Sequence, residues 1–280
     1  MKFIEYLKSI ILGIVEGITE WLPISSTGHM ILLDEFIRLN VSEEFLELFL
    51  VVIQLGAILA VPTLFFSKLN PFSRAKSKEE KKSTWNLWGK VIVGALPAAV
   101  IGVLLDDFFD EYFYNYIVVA IALVVYGVAF IVVEKFKKGK SFTVRTVDDL
   151  SYTDALKIGG YQILSLIPGT SRSGSTILGG MLSGVSRTAS AEFSFFMAIP
   201  IMLGASALKI FKFVIEGFTA TADEIAVLII GIAVSYLVSI FAIRFLMDFV
   251  KRHDFKPFGI YRIALGVLVL GYFLIKSLVL

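Results

Sequence analysis

Two polar stretches interrupt a sequence that is otherwise strongly apolar. The first, residues 16–29, reads EGITEWLPISSTGH and holds two carboxylates, four hydroxyls and one of the two histidines of the chain. The second, residues 168–176, reads PGTSRSGST and contains an arginine among small and hydroxylated residues. Ionisable groups at membrane depth are costly and are therefore functional candidates. We expect the two stretches to meet inside a membrane and form one phosphate-handling site.

Glu16 and Glu20 lie four residues apart, which places them on one face of a helix. Two carboxylates on an apolar helix repel each other unless one is protonated or a cation lies between them. The pair therefore suits a general base, or a pair of ligands for Mg²⁺ or Ca²⁺, which prefer oxygen. The alternative is a helix face that opens to water and merely solvates both acids.

Three hydroxyls, those of Ser25, Ser26 and Thr27, follow the helix break expected at Pro23. They could cap the next helix, or bind substrate, and a hydroxyl beside a base is also a candidate nucleophile. His29 lies three residues after Ser26, so it could orient or deprotonate that serine, or protonate a leaving oxygen. The alternative for His29 is a structural role with its hydrogen bonds satisfied.

Arg172 is the most informative residue of the second stretch, because arginine keeps its charge and needs an anion when buried. Backbone amides at the start of the following helix would also bind phosphate. The alternative is a structural ion pair with Glu16 or Glu20. The other candidates for substrate binding in this stretch are Gly169, Thr170, Ser171, Ser173, Gly174, Ser175 and Thr176.

The composition indicates an integral membrane protein. Of the 280 residues, 57% are hydrophobic and the mean hydropathy is +0.82, whereas soluble domains are about 45–50% apolar. A net charge of +2 gives no reason to expect a nucleic-acid partner. The chain has no cysteine, which excludes disulfides and thiolate metal sites.

The expected fold is all-α, with six transmembrane helices and two re-entrant helical hairpins. A span needs about 20 apolar residues, and the six candidates are approximately 47–66, 89–105, 117–134, 193–215, 225–247 and 259–278. Arg262 lies near one end of the last span, where we expect it to snorkel to the interface. The hairpins are the broken stretches 3–22 with 28–39, and 154–167 with 174–183. Irregular backbone at this depth must be covered by protein or hydrated by a cavity.

Basic residues set the expected orientation. Lys and Arg concentrate in loops 67–90, 134–157 and 248–258, whereas loops 106–116 and 213–224 carry acids and no basic residue. Because Lys and Arg mark cytoplasmic loops, the basic loops should face the cytoplasm and the acidic loops the outside. Both termini then lie outside, the first hairpin enters from outside, and the second enters from the cytoplasm.

The order of elements indicates an internal repeat. Each half, 1–140 and 150–280, reads as a broken hairpin followed by three spans, within a single membrane domain over 1–280. An odd number of spans per half turns the second copy upside down. Inverted repeats whose broken helices meet near the midplane are typical of transporters.

Two polar residues outside the stretches receive ordinary roles. Gln54, buried in a span, could join the site or bond a neighbouring helix, and we favour the second. We expect His253, in a basic loop, to be solvated.

Residues 16–29 and 168–176 closely resemble the two signature motifs of the bacterial undecaprenyl pyrophosphate phosphatases of the bacitracin-resistance type. The resemblance extends over essentially the whole chain, including VIQLG at 52–56 and SAEFSF at 190–195. It implies removal of the terminal phosphate from undecaprenyl diphosphate, which yields the carrier lipid for peptidoglycan synthesis. It also implies dependence on Mg²⁺ or Ca²⁺ and a multi-pass protein of the bacterial plasma (inner) membrane, with a site open to the extracytoplasmic side.

By position, the resemblance assigns Glu16 and Glu20 to the acidic motif, Ser26 as nucleophile, His29 as its partner and Arg172 as the phosphate clamp. The Ser-Thr-Gly-His run is also similar to the phosphatidic-acid phosphatase superfamily. That superfamily uses histidine as nucleophile and has a basic motif that this sequence lacks. The choice between Ser26 and His29 as nucleophile therefore stays open.

Two other functions are kept as alternatives. The repeat allows a transporter or flippase of polyprenyl phosphate, and a structural membrane protein with two hydrated breaks is a third reading. Sequence alone leaves the oligomeric state open, with a homodimer as one candidate.

Overall fold

The computed structural model describes residues 2–279, apart from the side chains of Asp106, Asp107, Asp110 and Val279. This part of the chain is helical and forms no strand. The α-helices are α1 Lys2–Thr19, α2 Ser26–Asp34, α3 Glu43–Leu64, α4 Phe66–Leu69, α5 Lys78–Phe113, α6 Tyr116–Lys137, α7 Tyr152–Gln162, α8 Arg172–Leu182, α9 Arg187–Ile215, α10 Ala222–Arg252 and α11 Lys256–Val279. Short 3₁₀ turns span Val147–Asp149 and Ile163–Leu166.

Six helices of the described chain are long and apolar enough to cross a membrane, namely α3, α5, α6, α9, α10 and α11. This confirms the all-α fold with six spans, and the chain is a multi-pass membrane protein. Several helices are longer than the sequence predicts. The helix α5 begins at Lys78 rather than near residue 89, because Ser77 and Glu80 form a capping box within the basic stretch.

The acidic loop predicted over 106–116 is wrong in its extent. Residues 106–113 continue α5 beyond a non-helical residue, Leu105, and only a short connection separates α5 from α6. The apolar run of α5 ends at Leu105, whereas the helix continues to Phe113. Hydropathy therefore locates the span and not the end of the helix.

Both predicted breaks are present, and they share one local geometry. The helix α1 ends at Thr19 and α2 begins at Ser26, whereas α7 and its 3₁₀ turn end at Leu166 and α8 begins at Arg172. Each short helix is capped by a serine, Ser25 or Ser171, whose φ is +73°. Residues other than glycine rarely adopt this backbone conformation. Each serine Oγ accepts a hydrogen bond from an amide three residues later, at 3.3 Å from Gly28 and 3.1 Å from Gly174.

Helices of one half of the chain pack on helices of the other half. The helix α1 packs on α10, and α7, its counterpart, packs on α5. The pairs α3 with α9 and α6 with α11 join equivalent helices. In the last pair, a Cβ on Gly127 would lie 2.6 Å from the carbonyl oxygen of Gly259, and a Cβ on Gly259 would lie 2.6 Å from that of Gly127. These pairings favour the predicted repeat, while its inversion and the re-entrant path of the hairpins stay predictions.

The expectation that Arg262 snorkels to the interface is wrong. Its side chain is fully buried, at 0% exposure, six residues after the start of α11. Its guanidinium donates hydrogen bonds to backbone carbonyls instead of reaching water. Sequence position places a charge along a helix axis, but it does not show which face of the helix is covered by other segments.

The two ordinary polar residues have different outcomes. Gln54 is half-buried, and its side chain makes no hydrogen bond within the described chain, so the expected bond to a neighbouring helix is absent. His253 is exposed, as predicted, and stacks on Phe249 with ring centroids 4.6 Å apart.

Candidate active site

The two breaks meet, and an ion pair joins them. Glu20 Oε1 accepts hydrogen bonds from Arg172 Nε at 3.1 Å and Nη2 at 3.0 Å. Both side chains are 10% exposed, so the pair is largely shielded from solvent. A hydrogen-bonded pair of this kind satisfies both charges where either alone would be costly. Residues 152 positions apart therefore form one polar centre.

Arg172 is held on two further sides. Its Nη1 donates to the carbonyl oxygen of Ser194 at 2.8 Å, and its guanidinium lies 5.7 Å from the centroid of the Trp21 ring. Nη1 also donates to Ser194 Oγ at 3.4 Å. These contacts fix the plane of the guanidinium, and the remaining N–H of Nη2 can still bind an anion. The structural ion pair and the phosphate clamp are thus compatible roles for one residue.

Ser26 contacts the same carboxylate through its other oxygen. The Oγ of Ser26 donates to Glu20 Oε2 at 3.2 Å. Glu20 thus bonds a hydroxyl and a guanidinium with its two oxygens. A hydroxyl within hydrogen-bond distance of a carboxylate is the arrangement in which a base accepts the proton of a nucleophile.

His29 does not contact Ser26, although it lies one helical turn away. Its Nδ1 lies 2.7 Å from the carbonyl oxygen of Ser25, and its Nε2 lies 2.7 Å from the hydroxyl of Tyr261. The two rings also stack, with centroids 5.6 Å apart. Because a carbonyl only accepts, Nδ1 carries a proton, and the neutral imidazole then accepts from Tyr261 at Nε2.

The hydroxyls of the second break bond to backbone. Ser173 Oγ donates to the carbonyl oxygen of Glu20 at 3.1 Å, which ties α8 to the start of the first break. Ser175 and Thr176 donate to the carbonyl oxygen of Arg172 at 3.0 and 2.9 Å. Ser171 caps α8. These hydroxyls therefore shape the backbone around Arg172.

The remaining predicted residues line the two breaks. Thr170 is buried and gives its carbonyl oxygen to Arg262, whereas Thr27 is half-buried at the start of α2. Gly169 has φ of +89°, and a Cβ there would lie 2.6 Å from the carbonyl oxygen of Val119. Only glycine fits that position without moving α6.

Glu16 supplies a buried carboxylate with an oxygen that can still accept a hydrogen bond or bind a cation. Its side chain is 2% exposed, and its Oε1 has no hydrogen-bond partner in the described structure. Glu16 and Glu20 are the only predicted metal ligands, and the described residues contain no group of three or more His, Asp or Glu side chains arranged for a metal. Mg²⁺ is commonly held by one or two carboxylates together with substrate phosphates. The orphaned oxygen of Glu16 and the neighbouring Glu20 fit such a cation.

Sequence reasoning missed four residues that contact this centre, namely Trp21, Ser194, Tyr261 and Arg262. Trp21 and Ser194 lie within motifs 16–29 and 190–195, which single them out without assigning a role. Tyr261 and Arg262 come from α11, where a tyrosine and an arginine resemble interfacial residues. Their partners lie at least 92 residues away in the chain, so local sequence gives no signal for the contacts.

A family model described as bacitracin resistance protein BacA matches residues 9–268. The chain belongs to the BacA family. An undecaprenyl-diphosphatase of Enterococcus faecalis strain V583 is 57% identical to this BacA-family chain, over 98% of this chain and 99% of the relative. The undecaprenyl-diphosphatase of Desulfitobacterium hafniense is 55% identical over 100% of both chains. That of Acetivibrio thermocellus is 58% identical over 97% of this chain and 98% of the relative. The likeness therefore covers both breaks and all six spans.

Proposed function

We propose that this protein hydrolyses undecaprenyl diphosphate to undecaprenyl phosphate and inorganic phosphate. The observation that carries the proposal is the Ser26–Glu20–Arg172 contact, which joins a hydroxyl, a base and an anion-binding cation across the two breaks. Full-length similarity to proteins named undecaprenyl-diphosphatase supports the substrate. The product is the carrier lipid for cell-wall synthesis, and abundant enzyme would leave less diphosphate for bacitracin to bind.

Ser26 is the nucleophile in the proposed reaction. Its Oγ attacks the terminal phosphorus while its proton passes to Glu20 Oε2. The bond between that phosphorus and the bridging oxygen breaks, and undecaprenyl phosphate leaves with the electron pair. The leaving undecaprenyl phosphate takes up the proton held by Glu20, which makes that carboxylate a base again. Water then attacks the phosphorus of the phosphoserine and passes a proton to Glu20, the bond between phosphorus and Ser26 Oγ breaks, and Oγ recovers the proton from Glu20 as phosphate is released. The Tyr261 contact at His29 Nε2 favours Ser26 over His29 as the attacking group.

Arg172 and the amides at the start of α8 bind the diphosphate. Phosphoryl transfer depends mainly on positioning and on neutralising charge, and Arg172 keeps its position through Ser194 and Trp21. Gly169, Thr170, Ser171, Ser173, Gly174, Ser175 and Thr176 shape this anion site, and Ser25 and Thr27 shape the start of α2. A divalent cation held by Glu16 and Glu20 would supply further positive charge to the phosphate oxygens.

The site is proposed to open to the extracytoplasmic side of the bacterial plasma membrane. The support is the distribution of Lys and Arg, which concentrate in the connections assigned to the cytoplasm. The polyprenyl tail would stay in lipid between helices while the diphosphate enters the polar centre.

Phosphate release by the purified protein in detergent tests the proposal. The assay uses undecaprenyl diphosphate with Mg²⁺, with Ca²⁺ and with chelator, beside the Ser26→Ala variant. Metal-dependent release that is lost in the variant supports hydrolysis with serine as nucleophile, and a phosphohistidine trapped at His29 would move the nucleophile there. Detergent has no gradient and no second compartment, so absence of release from folded protein would return the transport alternative.

A further inference from the structure

Arg262 is a buried cation that the proposed reaction does not use. Its side chain is 0% exposed, and no carboxylate of the described residues lies within ion-pairing distance of it. Its guanidinium lies 5.5 Å from the centroid of the Tyr126 ring. Arginine does not shed its proton in proteins, so the charge stays in the apolar interior. Burying such a charge costs stability, so we look for a task that an apolar side chain could not perform.

The hydrogen bonds of Arg262 show what that task is. Nη1 donates to the carbonyl oxygen of Pro23 at 3.1 Å, in the first break. Nη2 donates to the carbonyl oxygens of Gly169 at 2.8 Å and Thr170 at 2.9 Å, in the second break. One rigid guanidinium therefore bridges both breaks, and it comes from α11, which belongs to neither.

The bonded carbonyls lie a few residues before the reacting groups. Pro23 precedes Ser26 by three residues, and Thr170 precedes Arg172 by two. Backbone this close to a side chain moves with it, so Arg262 controls the separation between the nucleophile and the anion-binding cation. The chain also leaves room for this contact, since a Cβ on Gly174 would lie 3.2 Å from Arg262 Nη1.

We propose that Arg262 is a positioning residue that holds the two breaks, and with them Ser26 and Arg172, at the spacing required for attack. The inference rests on the proposed hydrolysis for its effect on turnover, whereas the spacing itself is a property of the protein without substrate. Lysine at this position would keep the charge, but a single ammonium lacks the planar fork of donors that reaches both breaks.

The Arg262→Lys variant tests the effect on turnover. We expect kcat per folded molecule to fall by roughly 10²-fold with KM little changed, because misplacement by about 1 Å can cost that much. The matched control is Arg187→Lys. Arg187 lies outside the site, and its Nε donates a hydrogen bond of 2.8 Å to Glu134 Oε1. A purely structural arginine would lower the thermal midpoint in both variants and leave kcat per folded molecule unchanged.

A distance measurement tests the spacing directly. The chain has no cysteine, so spin labels can be placed at Asp34→Cys, the last residue of α2, and Leu182→Cys, the last residue of α8. Both sites are accessible, at 46% and 47% exposure. Pulsed electron–electron double resonance should give a narrow distance distribution with Arg262 and a shifted or broader one with Arg262→Lys.

Each outcome decides the proposal. Normal kcat in folded Arg262→Lys overturns it, and so does lost kcat with an unchanged distance distribution. If Arg262→Lys does not fold, Arg262→Gln is measured in the same way, and failure of both to fold makes Arg262 a folding residue and overturns the positioning role. If the parent protein releases no phosphate, the proposed function fails, while the distances still decide whether Arg262 sets the spacing.

Discussion

Glu20 is the residue on which the chemistry of the site converges, because its two oxygens bond Ser26 and Arg172 separately. Such a carboxylate can accept a proton while staying oriented by the guanidinium. An amide in its place would keep the shape but would be a far weaker base.

We therefore expect Glu20→Gln to lower kcat by about 10²–10⁴-fold, the usual contribution of general base catalysis. The measurement is kcat and KM for phosphate release. Glu134→Gln is the matched control, since Glu134 is also buried and paired with an arginine, Arg187. It should reduce stability and leave kcat per folded molecule unchanged, and equal losses in both variants would contradict the role of Glu20.

Arg172→Ala should reduce kcat/KM by orders of magnitude. The variant removes the charge that is proposed to neutralise the phosphate, and it also leaves Glu20 buried without its cation. Removing one partner of a buried pair typically costs about 3–5 kcal/mol of stability, so folding must be measured beside turnover. Near-normal turnover in folded Arg172→Ala would refute the phosphate clamp.

At the same scale, the sequence identified most of the polar centre but not its connections. Residues 16–29 and 168–176 hold Glu20, Ser26 and Arg172, because costly residue types in an apolar chain are conspicuous. Spacing suggested that His29 contacts Ser26, whereas the structure pairs it with Tyr261, 232 residues away. Helical spacing shows which residues share a face, but it does not show which of several acceptors wins a hydrogen bond.

The helices pack through glycines that let backbones approach closely, as is common between transmembrane helices. The contact between Gly127 of α6 and Gly259 of α11 is reciprocal, with 2.6 Å from each hypothetical Cβ to the opposite carbonyl oxygen. The nearest atom in each case is a backbone oxygen, which cannot move aside as the end of a side chain could, and Ile263 Cγ1 lies 2.7 Å from the Cβ position on Gly127.

Gly127→Ala should therefore destabilise the protein by about 1–3 kcal/mol, as overpacking does. The thermal midpoint in detergent measures the effect. Gly271→Ala, in the partner helix α11, is the matched control, because a Cβ there meets nothing within 4 Å. Its stability should change by no more than about 1 kcal/mol. Equal midpoints for the two variants would refute the close helix contact.

Helix positions were predictable because each span is an apolar run, whereas helix ends were not. The helices α5 and α9 begin at Lys78 and Arg187, before their apolar runs, since capping serines can start a helix among charged residues. Burial of Arg262 was likewise beyond the sequence. It depends on two breaks from distant parts of the chain reaching the same face of α11.

Orientation in the membrane is a property of the whole molecule that the sequence predicts from the distribution of Lys and Arg. Single cysteines at Ala75 and Thr219, both exposed in connections between helices, can be introduced without native background. A membrane-impermeant maleimide added to intact protoplasts should label Thr219→Cys, and it should label Ala75→Cys only after lysis. The reverse pattern would place the site on the cytoplasmic side. A homodimer stays a prediction.

The meeting of the two breaks has a consequence for biosynthesis. Ser26 and Glu20 belong to the segment made first, while Arg172 and Arg262 follow more than 140 residues later. If these residues have their proposed roles, a growing chain cannot attack diphosphates before its second half has assembled. The connection over residues 138–146 contains no helix, which makes it a suitable place to divide the protein. Fragments 1–140 and 141–280 should each be inactive, and phosphate release should appear only in membranes from cells that produce both.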